Sequence, residues 1–379
     1  MKVNQITTTL ESAMKQVFGN EAVTSTDLTS LVQMGNKLIA DSNADVFDAI
    51  YKALLDRVYQ IEYERIYKRE DTGLTVSYPT FGAILEKVYV EMPESKSNKT
   101  WDVQNADPNT PTLSDVKVKI FSDINTWEVP YTIMDRQIKS AFNGDGEMSA
   151  FITNQFNKCT QSMEARIEAV EQWTRLNYIA NKIHFARENV DTGVHEVKLV
   201  SMYNAEFGTE LTPAQALINP DWYKYASMII STYIKKMRPI TSVFNTEAWK
   251  RFTPDEEVRL HLLTDFEKRA SYFMQSGVFH DEIVKLPTYT SVPFWQGSGK
   301  TYRFSDCSHV NIITSDGNTV DKSNVLGVLF DTRAMGVSIW NQRTTSQYNG
   351  HGEFNNYWIK ADIGLYNDLS ENGIVFVAE

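Results

Sequence analysis

Hydrophobic positions change their period several times along this chain. Residues 44–69 place Phe47, Ile50, Tyr51, Leu54, Leu55, Val58 and Ile61 at steps of three and four, which predicts an amphipathic helix. Ser42 and Asp45 offer an N-cap, and Gly73 suits a left-handed stop. The strongest helical signal covers residues 146–186. Ile152, Phe156, Cys159, Met163, Ile167, Val170, Trp173, Leu176, Ala180 and Ile183 keep the same step, and neither proline nor glycine interrupts residues 147–191. At about 1.5 Å per residue such a helix spans roughly 55–60 Å. Its polar face lacks sustained charge pairing, so a spine carrying a sheet is expected rather than a coiled coil.

Between these helices the period falls to two. Lys87-Val88-Tyr89-Val90-Glu91 and Val116-Lys117-Val118-Lys119-Ile120-Phe121 alternate as strands do, around a turn-rich tip, Ser95-Lys96-Ser97-Asn98-Lys99-Thr100-Trp101-Asp102. Residues 82–130 therefore read as a long two-stranded excursion. A hairpin of this kind is barely stable alone and needs a surface to lie on, in its own subunit or the next. The first forty residues are rich in Thr, Ser, Asn and Gln, and read either as an arm with short helical pieces or as a partly disordered terminus.

Beyond Gly193 the two periods mingle. Asn219-Pro220-Asp221 opens a helix whose face is Trp222, Tyr225, Met228, Ile229, Tyr233 and Met237. Residues 240–244 read as a strand, and Thr253-Pro254-Asp255-Glu256 as a helix start. Residues 258–263 fit helix or strand. Residues 266–276 are predicted helical and 283–286 extended. From 300 onward strands dominate, at 325–330, 336–340, 356–363 and 374–377. With no internal repeat and no linker, the expected class is α+β with interleaved parts.

Charge and composition narrow the function. The 37 basic and 48 acidic residues leave a net charge of −11, the wrong sign for a protein that wraps nucleic acid. Two distant cysteines build neither a disulfide framework nor a thiolate metal site. The polar N-terminus and the short apolar runs predict a soluble chain made in a cytoplasm, with no membrane role.

Catalytic motifs are weak. Gly297-Ser298-Gly299-Lys300-Thr301 resembles the end of a phosphate-binding loop. However, Phe294 stands where a first glycine is needed, and Tyr302-Arg303-Phe304 reads as strand rather than helix. The six histidines show no ligand spacing, and neither His280-Asp281-Glu282 nor His351-Gly352-Glu353 finds a second histidine nearby. Cys159 lies on the apolar stripe of the long helix. Cys307 and His309 would share a strand face, without a third orienting group. No catalytic, cofactor-binding or metal residues are assigned. The Trp residues at 127, 173, 222, 249, 295, 340 and 358 suit either a large core or broad protein–protein contact. An assembly protein is the first reading, and an enzyme with a dispersed, unsigned pocket the second.

Some stretches carry a family likeness. They are Phe81-Gly82-Ala83-Ile84-Leu85-Glu86-Lys87-Val88-Tyr89-Val90, Trp127-Glu128-Val129-Pro130-Tyr131-Thr132-Ile133-Met134-Asp135, Val258-Arg259-Leu260-His261-Leu262-Leu263, Phe354-Asn355-Asn356-Tyr357-Trp358-Ile359-Lys360 and Gly373-Ile374-Val375-Phe376-Val377. With the order of the elements, they make residues 44–377 resemble a Hong Kong 97-type phage major capsid protein. The likeness is nearest to the head proteins of small short-tailed phages (podoviruses) of Gram-positive bacteria.

That resemblance implies a partition. Residues 1–43 would form the N-terminal arm, 44–81 a helix leading into the peripheral (P) domain, and 82–130 the E-loop. Residues 131–194 would hold the P domain with its spine helix, 195–335 the axial (A) domain, and 336–379 the return to the P domain. It also implies that residues 258–263 are a strand. Expected E-loop contacts to a neighbouring subunit are Tyr89, Lys96, Lys99 and Trp101. Expected spine packing residues are Ile152, Phe156, Met163, Ile167 and Trp173. The implied partners are copies of the same chain in pentamers and hexamers, a portal, a scaffolding protein and packaged double-stranded DNA held without sequence specificity. The implied shell is icosahedral or prolate, assembled in the host bacterial cytoplasm, and no cofactor is implied. An encapsulin-like nanocompartment is the alternative within the fold.

Overall fold

A computed structural model describes residues 69, 71–77, 85–93, 113–122, 124–134, 136, 147–189, 193–275, 289–296, 301–314 and 317–379. In chain order the strands are β1 (Thr75–Ser77), β2 (Leu85–Val90), β3 (Val116–Phe121), β4 (Ile124–Met134), β5 (Glu196–Lys198), β6 (Val258–Leu263), β7 (Thr290–Val292), β8 (Val310–Ile313), β9 (Thr319–Lys322), β10 (Val325–Asp331), β11 (Met335–Asn349), β12 (Phe354–Asn367) and β13 (Gly373–Val377). The helices are α1 (Glu147–Glu188), α2 (Leu199–Phe207), α3 (Pro213–Ala216), α4 (Pro220–Met237), α5 (Thr264–Gln275) and α6 (Phe304–Cys307).

Two sheets organise these elements. One has the order β1-β11-β12-β4 and the other β5-β13-β10-β6-β7, while β2-β3 and β8-β9 form separate hairpins. In the first sheet β12 pairs antiparallel with both β11 and β4 along almost its whole length. Its burial alternates, as expected where one face packs and the other meets solvent. In the second sheet β10 and β13 are buried at every position, because both faces are covered.

The expected spine is α1, and it serves both sheets. Cys159, Met163, Ile167 and Val170 pack with Val337, Ile359, Ala361 and Ile363 of the first. Further along, Leu176, Tyr178, Ile179, Ala180 and Ile183 join the core of the second, with α4 and β10. Between the two, the buried positions are Glu171, Thr174 and Arg175. Glu171 is held by the segment before β1: it accepts from Arg69, from the Thr72 hydroxyl at 2.8 Å and from Thr75. Arg69 also meets Glu164 at 3.0 Å. His261 on β6 contacts the Thr72 carbonyl at 3.1 Å, so residues 71–77 touch both sheets.

Several expectations change. Trp173 is 51% exposed rather than packed. The buried stripe passes through Val170, Thr174 and Tyr178, and Trp173 sits one residue, about 100° of helical rotation, to its side. Residues 240–244 form no strand, only a single bridge from Thr241 to Arg251. The capping signature at Thr253 starts no helix. Instead Glu257 bonds back to the Pro254 carbonyl in a turn, and the chain enters β6, whose pairing with β10 claims the backbone. Residues 304–307 are a helical turn, not a strand, so Cys307 and His309 share no strand face. Cys307 is buried and His309 contacts Asp321 at 2.7 Å.

Residues 258–263 are indeed a strand, and α4 starts as its Asn219 cap and Pro220 predict, though Met228 on its expected face is exposed. The arm at 1–43, the helix at 44–68, the loop tip with Lys96, Lys99 and Trp101, the strand at 283–286, the His280 cluster and residues 297–300 lie outside the described residues.

Candidate assembly surface

The β2-β3 hairpin is built with its polarity reversed. Cross-strand partners are Lys87 with Lys119, Val88 with Val118, Tyr89 with Lys117 and Val90 with Val116. Because strand side chains alternate, each strand must choose a face. Lys87, Tyr89, Lys119 and Phe121 turn toward the body of the chain. The apolar set turns outward: Val88 is 58% exposed, Val118 50% and Ile120 62%, with Val90 and Val116 also open.

The seat beneath the hairpin explains the choice. Asp368, in the turn after β12, has a fully buried side chain. It accepts from Lys87 at 3.1 Å, from Lys119 at 3.4 Å and from the Tyr89 hydroxyl. Its own loop adds the Ser370 hydroxyl at 2.6 Å and the Ser370 amide at 3.1 Å. Burial alone would raise the Asp368 pKa, but Lys87, Ser370, Tyr89 and Lys119 together hold it below the usual carboxylate value. The Tyr89 phenol is pushed up, first by burial and then by Asp368. Lys87 also bonds the Arg333 carbonyl, and Lys119 pairs with Glu247.

Aromatic rings complete the seat. Tyr89 stands edge-on to Trp249 at 5.1 Å, and the Arg251 guanidinium lies 4.2 Å from the Tyr89 ring centre. The Lys117 ammonium sits 4.5 Å over Trp249, and Phe121 packs on Tyr366. Tyr89 is therefore only 7% exposed and makes its contacts within its own subunit. That corrects its assignment to a neighbour: hydroxyl and ring both find partners in the seat. Met163 and Ile167 are buried against the first sheet, while Ile152 and Phe156 lie in α1 with side chains outside the described residues.

The same region holds a cleft of about 610 Å³. Of its charged groups, Arg333 pairs with Glu257 at 3.5 Å and Arg251 with Glu371 at 3.9 Å, while burial raises the carboxyls of Asp331 and Glu371. Both thiols are buried and raised by burial, Cys159 to about 11, so neither is an activated nucleophile. Among the described residues no cluster of His, Cys, Asp or Glu could hold a metal, and no helix is long and apolar enough to cross a membrane.

The family profile of Phi29-like phage major capsid proteins matches residues 3–377. The chain belongs to that family. Solved phage structures share its fold. A chain in the capsid structure of Staphylococcus phage Andhra aligns at a TM-score of 0.51 and 10% identity, over 84% of this chain and 86% of that one. A chain in the structure of the head fiber and inner core protein of native bacteriophage P68 aligns at 0.53 and 7% identity, over 84% and 89%. No curated protein matches in sequence. The capsid protein thus has the Hong Kong 97-type fold and a structural, non-enzymatic role. It builds multi-copy shells and is a component of the virion.

Proposed function

We propose that this capsid protein forms pentamers and hexamers that close into an icosahedral or prolate shell around double-stranded DNA. The observation carrying this reading is the reversed hairpin. An outward row of Val88, Val90, Val116, Val118 and Ile120 is a poor surface to leave in water and a good one to bury on a second copy. In this reading residues 82–130 are the E-loop, 1–43 the arm, 44–81 the lead-in, 131–194 and 336–379 the P domain and 195–335 the A domain. Repeated contacts of one kind between copies then generate closure.

The same reading assigns the protein to a small short-tailed phage of a Gram-positive host. Assembly would take place in the host cytoplasm with a portal and a scaffolding protein. The net charge of −11 suits a lining that leaves packaged DNA mobile rather than bound. Electron microscopy of the purified protein, alone and co-expressed with its scaffold, tests this. Shells or capsomer rings are expected, and a protein that stays monomeric in both conditions overturns it.

A further inference from the structure

We infer that Asp368 is the residue that positions the β2-β3 hairpin, deciding which face it turns outward. The inference rests on the reading that the outward face meets a second copy.

The choice of face needs a cause. A hairpin with Val88, Val90, Val116, Val118 and Ile120 on one side would ordinarily turn that side inward, against Trp249 and Tyr366. Because side chains alternate, either face can be chosen, and turning the hairpin over exchanges the whole set. What selects the observed face is a buried carboxylate reached from both strands: Lys87 and Tyr89 come from β2 and Lys119 from β3. A carboxylate with no solvent access must be paired, and the hairpin supplies most of its partners. With the apolar face inward, Asp368 would keep only Ser370. The latch thus opposes the hydrophobic preference and keeps the assembly face exposed.

Asp368→Asn removes the charge with little change of shape. Lys87→Met with Lys119→Met weakens the latch from the hairpin side without altering the sequence of the 367–372 turn, and exchange of β10 and β13 at the wild-type rate shows whether either variant keeps the body folded. Amide hydrogen exchange of residues 86–90 and 117–121 is measured in dilute, unassembled subunits, together with the protein concentration at which shells appear. Both variants are expected to exchange at least about 10-fold faster in the hairpin, with β10 and β13 unchanged, and to need about 10-fold more protein for shells. Unchanged hairpin protection overturns the latch. Lost protection with an unchanged assembly concentration overturns its role in presenting the face. Val88→Asp with Val118→Asp leaves the latch in place: if that variant assembles as wild type does, the apolar-contact reading fails, while the exchange data still decide the latch.

Discussion

Lys182 shows how much a single buried charge can weigh. Its side chain is fully buried on α1, where the ammonium donates to the Phe244 carbonyl at 3.0 Å and lies 5.6 Å from the Tyr178 ring. Burial pulls its pKa down to about 7, against a smaller upward pull from Asp368. The nearby His195 falls to about 4, through burial and then Lys182. Each base is harder to protonate in the folded chain than in the unfolded one. The unfolded state therefore binds more protons, and stability rises with pH from about 4 to 6.5 through His195 and from about 7 to 10 through Lys182. Lys182→Met should raise stability at pH 7 by about 1–3 kcal/mol and flatten the rise above pH 7, measured by denaturant titration across pH. The Phe244 carbonyl keeps the Gly373 amide as a partner, so the substitution strands no acceptor. Gly373→Ala should do the opposite, costing about 1–3 kcal/mol, because a Cβ there runs into the Tyr178 hydroxyl in a packed core. At this scale little was readable in advance. A lysine and a histidine carry no mark of their burial, and Asp368 lies in an ordinary turn sequence. The one available hint was the phase of the hairpin, where Lys87 and Lys119 share a face with Tyr89.

Among elements, α1 was the plainest in the sequence and also the most misleading in detail. Its length follows from an unbroken periodic run, but a stripe of apolar positions also takes in Trp173, which is exposed. The buried positions beside it are Glu171, Thr174 and Arg175, which no hydrophobic pattern could select. Their polarity has a cause, since Glu171 receives Arg69, Thr72 and Thr75. Glu171→Ala should cost about 1–3 kcal/mol by leaving the Thr72 and Thr75 hydroxyls without their acceptor and Arg69 with Glu164 as its one carboxylate, read as a lower thermal midpoint and faster exchange at residues 75–77. Trp173→Ala should change stability by less than about 1 kcal/mol. The strands β11 and β12 extend well past their expected ends, because polar residues such as Arg343, Thr344 and Thr345 pair fully within a sheet that has one wet face. The mistaken helix start at Thr253 shows the converse: a capping sequence only offers a turn, and the pairing of β6 with β10 decided what followed.

For the whole molecule, class and order of parts were legible because they depend on period and sequence order. The grouping of parts was not, since it depends on long-range pairing. Helix α1 and residues 71–77 tie the two sheets together, so helical and strand segments from distant parts of the chain share one body. In the shell proposed above, the net charge of −11 would suit a lining that encloses DNA without gripping it.

The sheet order has a consequence for synthesis. Strand β13 lies between β5 and β10, so the second sheet cannot close until residues 373–377 have left the ribosome. Asp368 emerges just before them, 279 residues after the tyrosine it receives. A nascent or truncated chain therefore carries the hairpin without its anchor. In the proposed reading a subunit therefore becomes competent to join a shell only after residues 368–377 have been made, so that earlier intermediates lack the presented hairpin face.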